Sequence, residues 1–125
     1  MFGLVLIVAL SILVGVKAIE GFADCSDTLL NSIESPDRGR KAFVYERGCN
    51  ATAPDTVQIN IQPGGTSFDG QKYPGFFIAE RAPGIRLQWN GPDSLVVRAE
   101  ASALKVYRQE NRVGDLQITY KLPTP

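Results

Sequence analysis

Two cysteines, Cys25 and Cys49, stand twelve residues either side of Asp37, which sits inside Ser35-Pro36-Asp37-Arg38-Gly39. Proline presets φ and glycine tolerates the αL region, so Ser35, Pro36, Asp37 and Gly39 mark a turn. A turn centred on Asp37 brings the cysteines level on adjacent antiparallel strands, within the roughly 4.4–6.8 Å Cα separation that a disulfide needs. The chain has no histidine, so a reactive thiolate would lack its usual partner base. Two thiols are also too few for a closed zinc site, which takes four ligands. The pair therefore reads as a structural disulfide. In the chain-entropy model a closed loop of this length contributes on the order of 3 kcal/mol.

Upstream of the pair, Phe2 to Val16 are apolar but for Gly3, Ser11 and Gly15. The run is long for the apolar part of a signal peptide and short of the ~20 residues that span a bilayer comfortably. Val16-Lys17-Ala18 and Gly21-Phe22-Ala23 each look like a signal-peptidase site. The expectation is a hydrophobic helix at residues 1–19, either signal peptide or transmembrane anchor, followed by a disulfide-stapled domain at 20–125. Uncleaved, residues 2–19 would hold the protein to a membrane, and Lys17 on the downstream flank assigns no orientation. Disulfides persist outside the reducing cytosol. Both features point to export: anchored in an inner membrane and facing the periplasm or cell surface, or secreted after cleavage.

Charge and composition exclude more than they assign. Lysines plus arginines number 13 and acids 13, so the formal net charge is zero. Removing residues 1–18, whose only charge is Lys17, leaves about −1. A nucleic-acid binder shows a basic stripe, and none is visible. Without histidine the chain lacks the commonest general base and metal ligand, and neither a metal nor a cofactor is expected.

Beyond Thr28 the pattern is that of strands. Thr28–Glu34 alternates loosely, and Ala42, Phe43, Val44 and Tyr45 run consecutively, as in a central strand covered on both faces. Val57, Ile59 and Ile61 alternate with Gln58, Asn60 and Gln62, which predicts a half-buried strand with one wet face. The stretch from Pro63 to Pro74, rich in glycine, reads as a long loop. Strands follow over Phe76–Glu80, Ile85–Trp89, Leu95–Arg98, Leu104–Tyr107 and Leu116–Lys121, with Asn90-Gly91-Pro92-Asp93 as a hairpin turn. Short strands at this spacing with no amphipathic helix predict an all-β domain, a small antiparallel sandwich or strongly bent sheet of about 7–8 strands.

Few residues invite chemistry. Asp24, Asp27, Glu34 and Asp37 fall near the first hairpin, and Asp55, Asp69 and Asp93 fall in turns. Turn aspartates commonly satisfy backbone amides, which leaves a catalytic carboxylate pair as the minor reading. Asn50-Ala51-Thr52 fits the N-glycosylation pattern and equally a turn leaving the second strand. Tyr45, Tyr73, Phe76, Phe77 and Trp89 have strand spacing and read as core before ligand groove. Irregular loops carry contacts, so Thr66, Phe68, Asp69, Lys72 and Tyr73 are the candidate partner-binding residues.

Ser35-Pro36-Asp37 with Lys41–Tyr45, and Trp89–Val97 later, resemble blade segments of TolB-type β-propellers. A propeller takes at least four blades of about 40 residues, more than this chain holds. The chain also resembles an uncharacterised bacterial family of small exported or membrane-anchored β proteins. Its pattern of Cys, Ser-Pro-Asp turn, Lys-Ala-Val strand, Cys-Gly-Ala-Thr-Thr, Trp-x-x-Asp-x-Leu hairpin and closing Ile-x-Tyr falls on Cys25, Ser35–Asp37, Lys41–Glu46, Cys49–Ala53, Leu87–Val97 and Ile118–Tyr120. Asn50 replaces the glycine and Ala53 a threonine. The resemblance implies fold and location and carries no activity.

The function these features imply is a non-catalytic binding or scaffold domain of the cell envelope, acting on an envelope protein. An inhibitor or immunity-type protein that uses the 63–74 loop is the first alternative. A carboxylate-dependent envelope hydrolase is the second.

Overall fold

A computed structural model of the chain describes residues 25–49, 54–80, 84–101 and 105–123. The hydrophobic helix expected at 1–19 and the Asn50–Thr52 triplet lie outside the described residues, among which no helix is long and apolar enough to cross a membrane.

The described chain is all-β. Its strands are β1 (Cys25–Glu34), β2 (Arg40–Cys49), β3 (Thr56–Pro63), β4 (Phe77–Glu80), β5 (Ile85–Trp89), β6 (Ser94–Ala99), β7 (Lys105–Gln109), β8 (Arg112–Val113) and β9 (Leu116–Lys121). A five-stranded sheet has the order β1-β2-β3-β4-β7, and a four-stranded sheet the order β5-β6-β9-β8. One apolar cluster joins them. Ala42, Val44, Val57, Ile59, Phe77 and Ala79 come from the first sheet, and Leu95, Val97, Leu116 and Ile118 from the second. Strand alternation explains this membership, because every second residue of a strand faces the same way.

Three expectations need correction. The strands number nine among the described residues, because the two-residue β8 pairs with β9 and is too short to leave a pattern. The second sheet is not wholly antiparallel, since β6 and β9 run parallel. Between them the chain crosses to β7 of the other sheet, the long connection that a parallel pair requires. The polar face of β3 is not wet: Gln58, Asn60 and Gln62 are 4%, 0% and 1% exposed.

The hairpin of β1 and β2 holds a finer correction. Ser35 N–H donates to Arg40 O at 2.9 Å and Arg38 N–H to Ser35 O at 2.9 Å. The residue with positive φ is Arg38, at 61°, rather than Gly39. Near the turn Glu34 faces Lys41, a register that would carry Cys25 past Cys49. A bulge between Leu29 and Asn31 absorbs Leu30 and shifts the pairing by one, so Cys25 faces Cys49. The cysteines are level because β1 carries one extra residue. The turn itself is centred half a residue beyond Asp37.

The sheets are clasped at one corner by Arg40, at the start of β2. Its guanidinium donates to Pro92 O at 2.8 Å and to Asp93 Oδ1 at 3.0 Å, and it also pairs with Asp115. One side chain thereby ties the β5–β6 and β8–β9 turns to the first sheet. At the adjoining edge Trp89 Nε1–H donates to Ile33 O at 3.1 Å.

Candidate binding surface

The outward face of β2 and β3 is built from Phe43, Tyr45, Gln58, Asn60 and Gln62, which the ladder brings side by side as Phe43–Asn60 and Tyr45–Gln58. The segment from Gly64 to Phe76 lies across it. Backbone without regular structure needs partners wherever it is covered, and the buried amides supply them. Gln62 Nε2 donates to Thr66 Oγ1 at 3.0 Å and to Ser67 O at 2.7 Å, and its Oε1 accepts from Asp69 N–H at 2.8 Å. Asn60 Nδ2 donates to Tyr73 O at 3.1 Å, while Asn60 Oδ1 is buried without a partner. Gln58 turns to its own face, accepting from Tyr45 O–H at 3.0 Å and donating to Thr56 Oγ1 at 3.2 Å.

Two glycines set how closely the segment lies. A Cβ on Gly64 would stand 1.8 Å from Arg38 O, and Gly64 N–H donates to Gly39 O at 3.0 Å. A Cβ on Gly70 would stand 2.4 Å from Asp27 Oδ2. The segment thus runs from the Ser35–Gly39 turn toward the cystine end of the hairpin. There Arg47 grips Asp27 through two bonds of 2.7 and 3.0 Å and donates to Gly70 O at 2.9 Å.

Each residue expected to serve in the loop has a defined place. Phe68 packs inward, its ring centroid 5.4 Å from Phe43 and 4.9 Å from Tyr45. Thr66 donates to Pro63 O at 2.6 Å. Asp69 Oδ1 closes a local turn by accepting from Gln71 N–H at 3.0 Å and Lys72 N–H at 2.9 Å. Tyr73 is half-buried with the Lys72 ammonium 5.6 Å from its ring centroid. Ser67, Asp69, Gln71, Lys72 and Pro74 face solvent. The loop lies flat and does not protrude.

The cystine and the turn close the two ends of the hairpin. Cys25 and Cys49 form a disulfide with Cα atoms 4.1 Å apart. In the turn, Ser35 Oγ–H donates to Asp37 Oδ1 at 2.7 Å and Gly39 N–H to the same oxygen at 3.0 Å. The amide of Gly39 first and the Ser35 hydroxyl second hold the Asp37 carboxyl below its ordinary value. Burial pushes the Tyr45 phenol up. The aromatics divide: Tyr45, Phe76 and Phe77 are buried, whereas Tyr73 and Trp89 are half-buried. Asp93 and Asp115 both meet Arg40 on an exposed corner.

The sequence does not point to Arg47, and it marks Asp27 only as a carboxylate and Asn60 and Gln62 only as a solvated face. All four organise this surface. The signal available was chemical. Three successive outward positions of β3 are amides, which donate and accept at once, where a solvated face usually mixes in charges. No protein-family model, curated protein or solved structure matches the chain significantly.

Proposed function

We propose that this chain is a non-catalytic, exported binding domain, a small β-sandwich that meets an envelope protein with the outer surface of the 64–76 segment. The observation that carries the reading is the segment's anchorage. Buried Gln62 and Asn60, with Arg47, hold its backbone in one conformation while Gln71, Lys72 and Pro74 remain outside. A surface ordered before contact spends little conformational entropy on binding. Its flat course fits a face-to-face contact better than insertion into a partner's cleft. The disulfide is compatible with an oxidising compartment, and residues 1–19 serve as anchor or cleaved signal.

The test is photo-crosslinking in cells that make the full chain, with benzoylphenylalanine at position 72. One envelope protein should be captured, and Gln62→Ala, which loosens the segment without touching its outer side chains, should reduce the yield severalfold. Capture that is indifferent to Gln62→Ala, or that succeeds only from the opposite sheet, sinks the reading.

A further inference from the structure

Among the described residues the large exposed apolar side chains are Leu29 (45%), Leu30 (52%), Ile33 (36%), Val106 (42%) and Tyr107 (49%). All five lie on β1 and β7, the two open edges of the five-stranded sheet. Neither strand contains a proline, and β1 has no lysine or arginine, so β1 lacks the commonest protections of an edge. What each edge does carry is a bulge, at Leu30 in β1 and at Tyr107 in β7.

Charge separates the edges. β1 bears Asp27 and Glu34 and no base, whereas β7 bears Lys105 and Arg108 and no acid. Pairing β1 with β1, or β7 with β7, sets like charges together, and only β1 against β7 is complementary. Direction agrees. Every neighbouring pair in this sheet is antiparallel, so β1 and β7 point the same way. A copy displaced in the sheet plane lays them side by side in parallel.

Level positions follow from the ladders. Lys105 faces Glu80, Glu80 faces Thr56, Thr56 faces Arg47 and Arg47 faces Asp27. By the same path Gln109 is level with Asn31. A displaced copy therefore brings Lys105 beside the Asp27–Arg47 pair and Gln109 beside Asn31. It sets the two bulged side chains about one residue apart, Tyr107 between the levels of Thr28 and Leu29 and Leu30 between those of Arg108 and Gln109.

We propose that β7 of one copy of this chain pairs with β1 of the next, continuing the five-stranded sheet from molecule to molecule. The contact is head-to-tail, so it generates an open row rather than a closed dimer. It uses a surface separate from the 64–76 segment, and neither reading depends on the other.

Benzoylphenylalanine at position 29 of the full chain, level with Arg108 of β7, tests the pairing, with isotopically labelled and unlabelled copies mixed. Within one molecule β1 and β7 are four strand spacings apart, about 19 Å, so an adduct between them is intermolecular. The expected result is a ladder of dimers and higher multiples whose adducts map to residues 105–109 of a second, differently labelled copy. Leu30→Glu and Tyr107→Lys alone should each cut the ladder at least tenfold, and the two together should restore it. Both positions are exposed, and an intact disulfide reports that the variants fold. Adducts joining position 29 to position 29, capture of another protein only, monomer only, or failure of the double variant to recover would each overturn the proposal.

Discussion

The two faces of β3 are buried almost equally and held by different physics. Val57 and Ile59 face the shared core, joined at its margin by Ile61, while Gln58, Asn60 and Gln62 face the 64–76 segment. On the first face stability scales with the apolar area removed from water and asks little of direction. On the second, the same burial is tolerable because the amide groups, Asn60 Oδ1 excepted, meet backbone and side-chain partners at defined distances. Burial alone therefore does not tell a core from an adhesive face. The apolar face ties the sheets together, and the amide face fixes one loop.

The sharpest way to break the symmetry is to empty each face in turn. Ile59→Ala should cost about 2–5 kcal/mol, as a cavity in a shared core does. Chemical denaturation should show one cooperative transition at a lower midpoint. If instead only the loop loosened, the two faces would not be distinct.

Gln62→Ala should cost less globally, about 1–3 kcal/mol, because it strands the amide of Asp69 and the carbonyl of Ser67 without partners. Its mark should be local: amide exchange should accelerate at 66–73 well before it does along β3. Uniform acceleration would show that the segment and the sheet open as one unit.

A smaller effect tests the end of the hairpin against which Gly64 packs. Arg38 holds φ at 61°, a region that costs a residue with a Cβ roughly 1–2 kcal/mol. Arg38→Gly should therefore stabilise by about 1 kcal/mol, less the added freedom of the unfolded chain. A loss of stability would mean that the arginine side chain matters more than its backbone.

The smallest effect is on pH dependence. The carboxyl of Asp37 is held below its ordinary 3.8 by Gly39 and Ser35. A depressed carboxyl contributes stability that is present above the unfolded value and lost as pH falls through the folded one. Asp37→Asn should flatten the decline below about pH 4 while leaving the alkaline limb alone. That limb belongs to the phenols of Tyr45, Tyr107 and Tyr120, all pushed up, so their contribution declines as pH rises above 10. An unchanged acid limb in Asp37→Asn would remove the turn from the account.

Much of the fold was legible in the chain. The run Ala42–Tyr45 announced a strand covered on both faces, and each of its residues is buried. The Asn90–Asp93 signal announced a hairpin, closed by Asn90 N–H donating to Ser94 O at 2.8 Å. The candidate site was legible only in part. The stretch 63–74 stood out by its glycines and prolines, yet its sequence did not say whether it would project or lie down. That depended on Gly64 meeting Arg38 and on Gln62 meeting Asp69, contacts between residues in different elements.

Alternation, turn chemistry and the spacing of two cysteines are local or pairwise, and they determined that the described part of the chain is all-β with its first hairpin stapled. Three matters rested with the tertiary structure: that neither face of β3 meets water, that β6 and β9 run parallel, and that a single bulged residue brings Cys25 level with Cys49. Period-two alternation says that two faces differ without saying what covers either of them. Nor does a residue spacing reveal an extra residue absorbed in a ladder, because register is set jointly by both strands and the turn between them.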